Sequence, residues 1–214
     1  MKKNSILKGT LILTCAGIAT RLIGFFYKIY LSNTLGAEKL GIYQLIFPIY
    51  GICFTLYATG IQTAISQLVA AESGKKMPQT PHNLKKILLT GIGCSISIAF
   101  CLSFYVYMNA AQIANTIILE PACTNSLKIL AFIFPFCGIT SCINGYYYGL
   151  KKAAVPAATQ LVEQLVRVIS VYAIAIFVGG KDTAVTCELA VLGLVLGEIA
   201  SNLYNIASLV FTKS

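Results

Sequence analysis

Residues 11–31 read LILTCAGIATRLIGFFYKIYL, an apolar run broken by two charges, Arg21 and Lys28. The hydrocarbon core of a bilayer is about 30 Å thick and a helix rises about 1.5 Å per residue, so roughly 20 mostly apolar residues cross it. The run is long enough to span, and longer than the apolar core of a secretory signal. A lipoprotein-type cleavage before Cys15 would want a small residue where Thr14 stands, so the segment is expected to stay as a first helix. Similar runs follow, and the pattern predicts helices at about 11–31, 42–71, 87–108, 127–149, 153–178 and 184–211.

The composition agrees. The chain has 214 residues, 57% hydrophobic and 11% charged, whereas a soluble domain carries about 25% charged residues. The expected fold class is all-α: a polytopic membrane protein whose six transmembrane helices fill residues 1–214 as one lobe, with no soluble domain left over.

The net charge of +9 would suggest a nucleic-acid partner in a soluble protein. Here the charges fall in alternate connections: Lys2, Lys3 and Lys8, then Lys75, Lys76, Lys85 and Lys86, then Lys151 and Lys152, then Lys213. The remaining connections carry only Lys39 and Lys181, and Lys128 sits near the outer start of a span. That is the positive-inside pattern, which puts both termini in the cytoplasm and makes the bilayer the partner. Nucleic acid is not expected.

Pro48 should kink the long second helix and Gly60 could break it, and Pro135 falls inside the fourth. The tight turn at Lys151 and Lys152 predicts that the fourth and fifth helices are antiparallel neighbours. Gly138, Cys142, Gly145 and Gly149 share one face of the fourth helix, a seam of small residues for close packing. The eight cysteines lie mostly in apolar runs and read as small buried hydrophobes. Cys123 and Cys187 near the outer face are expected to be free thiols. His82, the one histidine, falls in a basic loop and reads as solvated. No catalytic triad, zinc spacing or phosphate loop occurs, and Gly91-Ile92-Gly93 lacks both the strand and the third glycine of a nucleotide loop.

What remains is charge inside the membrane. Thr10, Thr14, Gly17, Arg21, Gly24 and Lys28 recur at spacings of about three and four, forming one stripe on the first helix. The fifth helix carries Gln160, Glu163, Gln164 and Arg167, and the sixth Glu198, Ser201, Asn202 and Asn205. A charge at the bilayer centre costs roughly 2.5 to 3.5 kcal/mol, so these faces should line a wet cavity or meet each other. Glu163 and Arg167, four apart with the acid first, are placed to pair. Arg21, Lys28 and Arg167 still outnumber Glu163 and Glu198, which leaves a positive cavity suited to an anionic group, and a guanidinium grips phosphate oxygens in bidentate fashion. Most tyrosines read as interface anchors or packing, and Tyr27 and Tyr43 are the candidates for the cavity.

Leu7-Lys8-Gly9-Thr10, Thr20-Arg21-Leu22-Ile23-Gly24-Phe25, Gly41-Ile42-Tyr43 with Pro48, Ala64 to Ala70, Asn144 to Gly149, and Gln160 to Arg167 with Pro156 come in an order that runs over nearly the whole chain. Together they resemble the polysaccharide transporter branch of the multidrug/oligosaccharidyl-lipid/polysaccharide exporter superfamily, kin to lipid II flippases and MATE drug exporters. The resemblance implies two six-helix lobes around a central cavity, alternating access, and cationic residues on helix 1. Arg21 falls where the motif has its arginine. Tyr27 falls where lipid II flippases have a second one, with Lys28 beside it.

The expectation is therefore the N-terminal lobe of a flippase in the bacterial cytoplasmic membrane, with its second lobe missing, separately encoded, or supplied by a second copy. Its substrate would be an anionic lipid-linked oligosaccharide or peptidoglycan precursor, for spore cortex or cell wall. Arg21, Lys28 and Arg167 would hold the head group, with Gln160, Glu163, Gln164, Glu198, Asn202, Asn205, Tyr27 and Tyr43 lining the cavity or pairing. No cofactor is expected beyond a coupling Na+ or H+. Two alternatives stand beside it: a MATE-like antiporter using Glu163 and Glu198 as ion sites, and a membrane scaffold or gene remnant that transports nothing.

Overall fold

The computed structural model describes residues 2–74, 81–179 and 185–211, and these form a helical bundle with no strand among them. Lys75, Lys76, Lys181 and Lys213, the middle of the basic loop and the first residue of the expected sixth helix fall outside the described residues, and the side chains of Lys2, Lys3 and His82 are likewise undescribed.

The expected first and second helices are joined more tightly than their predicted limits suggest. Helix α1 runs from Lys2 to Leu45 and is interrupted at Gly36, whose φ of +80° and ψ of 166° are not helical. A left-handed φ costs glycine little and other residues much. The break folds the chain back, so that Tyr27 and Leu31 before it line the same cavity as Leu40 and Tyr43 after it.

The second helix is irregular near both expected places, although Gly60 itself keeps helical φ and ψ of −64° and −44°. Pro48 sits in the first turn of α2 (Phe47–Phe54), where a missing N–H costs nothing. A π-helical turn over Thr55–Thr59 ends where α3 (Gly60–Ser73) begins at Gly60.

Helix α4 (Pro81–Met108) is the expected third span, six residues longer at its start. After it come a four-residue helix, α5 (Ala110–Ile113), and a second π-helical turn over Ala114–Ile118, where the sequence suggested only a loop. The expected fourth helix is two, α6 (Cys123–Ala131) and α7 (Ile133–Gly149), bent by 45°. Pro135 cannot donate to Ala131 and its ring crowds that carbonyl, so the helix breaks at Phe132, one turn upstream. Helices α8 (Ala154–Gly179) and α9 (Cys187–Phe211) complete the bundle. By length and composition four stretches suit a membrane span, or five if the bent pair is one; the first, Leu7–Ser73, is 67 residues long and contains the Gly36 reversal.

Small residues set the packing order. A Cβ at Gly145 would lie 2.5 Å from the Gln62 carbonyl oxygen, and one at Gly149 2.7 Å from that of Ser66, so α7 lies directly on the backbone of α3. Gly138 makes room for the Ser95 side chain of α4, whose Oγ would lie 2.6 Å from an added Cβ. A second seam, Gly193 and Gly197, seats α9 on α8: a Cβ at Gly197 would come within 2.7 Å of the Glu163 carbonyl oxygen. Helix α8 packs chiefly against α9 and α1, and meets α7 only sparsely. The expected close pairing across the Lys151 turn is thus corrected: Lys151 itself adopts φ of 60°, and α8 leaves that turn toward α9.

Tyr57, Phe134, Leu127, Leu130 and Ile133 anchor the main core, and Ile65, Val69, Ile143 and Tyr147 a smaller one between α3, α4 and α7. Around them Phe25, Phe26, Leu89, Phe100, Phe104, Phe177 and Phe211 are exposed. So broad an apolar surface would aggregate in water and is at home in lipid. This is a multi-pass membrane protein.

Candidate functional site

Two cavities open on the charged faces. The larger, about 510 Å³, lies between both arms of α1, α2 and α8. Arg21, Lys28 and Arg167 line it with Tyr27, Tyr43 and Gln164. Arg21 and Lys28 point from an uncovered face of α1, whereas Tyr27, Tyr43 and Gln164 are buried. Among the described residues the lining includes three cations and no carboxylate. Gly24 is what lets α1 come this close to α8, since a Cβ there would stand 3.2 Å from Gln164 Nε2. Thr20, Leu40, Gln44 and Phe47 also line the cavity and were not singled out from sequence. Gln44 directly follows Tyr43 and Phe47 sits one helical turn beyond it, so the Tyr43 reading could have been extended to them.

The smaller cavity, about 190 Å³, lies deeper, between α2, α6, α7, α8 and α9. Glu163, Arg167 and Glu198 line it beneath Phe47 and Tyr50. Arg167 Nη2 is paired with the Glu163 carboxylate, as the spacing predicted, and Nη1 donates to Gln164 Oε1 at 3.1 Å. Arg167 Nε is buried with no partner. Glu198 is only 6% exposed, and the Ser201 hydroxyl donates to its Oε2 at 3.4 Å. The close approach of α9 that brings Glu198 here depends on Gly193 and Gly197, which sequence reading passed over although their four-residue spacing is a known packing signal.

The remaining polar residues lie elsewhere. Asn202 Nδ2 donates to the Phe136 carbonyl at 2.5 Å and to Thr140 Oγ1 at 2.9 Å. Thr159 donates to Asn205 Oδ1 at 2.7 Å, and Asn205 Nδ2 to Asn144 Oδ1 at 3.4 Å. Both asparagines hold α9 to its neighbours and line neither cavity; Gln160, half-buried on α8, lines neither. Thr10, Thr14 and Gly17 continue the α1 stripe past the end of the basic cavity. A third space, about 540 Å³, is an apolar groove between α3 and α4. All eight cysteines are free, with Cys123 Sγ directed at the Ile42 carbonyl and Cys187 Sγ at that of Lys39.

Residues 6–213 match the family described as polysaccharide biosynthesis protein. Stage V sporulation protein B of Bacillus subtilis (strain 168) is 31% identical over 204 residues, which cover 95% of this chain and 39% of that protein. The lipid II flippase MurJ of the same organism is 25% identical over 175 residues, 78% of this chain and 31% of that protein. The uncharacterized membrane protein YabM, also from Bacillus subtilis (strain 168), is 26% identical over 168 residues, 78% of this chain and 30% of that protein. The chain thus spans two fifths or less of the length of these relatives. No solved structure matches it.

Proposed function

Given that the chain belongs to the polysaccharide biosynthesis protein family, we propose that it is a lobe of a flippase for an anionic lipid-linked saccharide or peptidoglycan precursor. Arg21, Lys28 and Arg167 receive the phosphate groups of the head group. The observation that carries this reading is the basic cavity, which gathers three cations from two helices far apart in sequence and includes no carboxylate in its lining. Inside a membrane such a surplus of positive charge is costly unless a counter-charge visits it. The same surplus argues against a cationic drug as substrate. Relatives named as a lipid II flippase and a sporulation protein support a cell-wall or spore-cortex setting in the bacterial cytoplasmic membrane.

The cavity is open on the side of Arg21 and Lys28, and alternating access needs a second lobe to close it. That lobe is a separately encoded or continuing segment, or a second copy of this chain. The test is translocation of a lipid-linked precursor in cells depleted of their own flippases, using the complete transporter. Arg21→Ala removes hydrogen bonds to a charged group worth roughly 1.5 to 3 kcal/mol, so transport should fall by roughly 10-fold to 100-fold. Undiminished transport in that variant would remove Arg21 from the site.

A further inference from the structure

Arg167 belongs to both cavities. On one side its guanidinium faces the basic cavity with Arg21 and Lys28, and on the other it closes the smaller cavity against Glu163 and Glu198. Phe47 is the other residue that the two cavities share. The guanidinium pairs with the Glu163 carboxylate and the Gln164 amide oxygen, leaves Nε unused, and shares its cavity with a second carboxylate, Glu198. An anion arriving beside Arg21 and Lys28 competes for the same N–H groups.

We propose that Arg167 exchanges between the carboxylates and a bound anion, and that the Glu163/Glu198 pair takes up a proton when it lets the guanidinium go. This rests on the anionic-substrate reading above and adds how that site couples to protons. Glu163 and Arg167 are half-buried and Glu198 is buried, so withdrawing the guanidinium leaves two carboxylates that water solvates only in part. Like charges sharing one small cavity disfavour double ionisation, so one carboxylate gains a proton from solvent and becomes a neutral carboxyl. The balance is simple: Arg167 moves its N–H donors from carboxylate to phosphate oxygens, and one O–H bond forms on the pair. The proton belongs to the pair jointly.

Among the described residues, no second cation lines the pair's cavity to replace Arg167. Facing Glu198 are Glu163 and Arg167 from α8, Tyr50 from α2, Tyr57 from the π-helical turn, and Cys137 with Thr140 from α7. Arg21 and Lys28 line only the basic cavity.

Because a proton is bound together with the anion, affinity rises as pH falls, by up to about tenfold per pH unit for one proton, and levels off once the pair is already protonated in the free protein. By linkage the bound anion favours protonation to the same degree. The test is calorimetric titration of the purified full chain in detergent with dimethyl diphosphate diester, whose oxygens stay ionised near neutrality. Repeating it in buffers of different ionisation heat reads the proton uptake. About one proton per bound anion is expected, with an infrared difference band from a newly protonated carboxyl. Both signals should vanish in the Glu163→Gln, Glu198→Gln double variant, while the wild-type measurement decides the matter even if that variant fails to fold. Binding without proton uptake at any pH overturns the exchange and leaves the anion site standing. Absence of binding at every pH overturns the anion site, and the exchange with it.

Discussion

The hydroxyl of Tyr27 is buried against the basic cavity and has no hydrogen-bond partner. An unsatisfied buried polar group costs about 1 to 3 kcal/mol, and evolution does not usually keep one without return. Tyr27→Phe should therefore hold or raise the thermal unfolding temperature of the purified chain, by an amount equivalent to about 1 kcal/mol. A lowered transport rate in the same variant would then mean that the hydroxyl meets the substrate. Arg167 is a mixed case: both terminal nitrogens are engaged within its own helix, while Nε has no partner. Of the predicted cations it is the one whose surroundings sequence could half describe: the spacing to Glu163 gave the pair, but nothing in the chain order said that Glu198, thirty-one residues later, would share the same cavity.

Elements explain why. Periodicity within one helix places residues on a face, and the stripes on α1 and α8 were legible for that reason. Which faces meet depends on crossing angles that small residues set. The Gly138 to Gly149 seam was readable, and it lies on α3 and α4. The Gly193 and Gly197 seam lies against the Glu163 to Arg167 turn of α8 and fixes the depth at which Glu198 enters. Gly197→Ala should thus cost about 1 to 3 kcal/mol by overpacking, read as a lowered unfolding temperature. Gly93→Ala on α4, with no atom within 4 Å of the added carbon, should be neutral or mildly stabilising, up to about 1 kcal/mol. Equal losses in the two would mean that α9 does not sit as closely as described. Asn202 and Asn205 show the limit of the stripe argument: a polar face on α9 was correctly read, but a buried amide can bond to neighbouring helices instead of lining a cavity, even where, as at Asn202 Oδ1, one atom is left without a partner.

At the scale of the molecule, fold class was the most legible property because it rests on hydropathy summed over long runs, whereas the breaks at Phe132 and Gly36 depend on single residues. Orientation follows from where lysines fall, and it yields a direct measurement. In a cysteine-free background, Glu120→Cys should react with a membrane-impermeant maleimide in intact cells, and Lys151→Cys only after permeabilisation. The reverse pattern would turn the bundle over. Gly36 carries a consequence for how the protein is made. Without its left-handed backbone, the 67 residues from Leu7 to Ser73 would tend toward one rod about 100 Å long, more than three times the depth of the hydrocarbon. The insertion machinery receives this stretch before any partner helix exists to bend it. A β-branched residue at Gly36 is therefore expected to show first as less protein inserted in the membrane, read by its abundance there, before any change in transport.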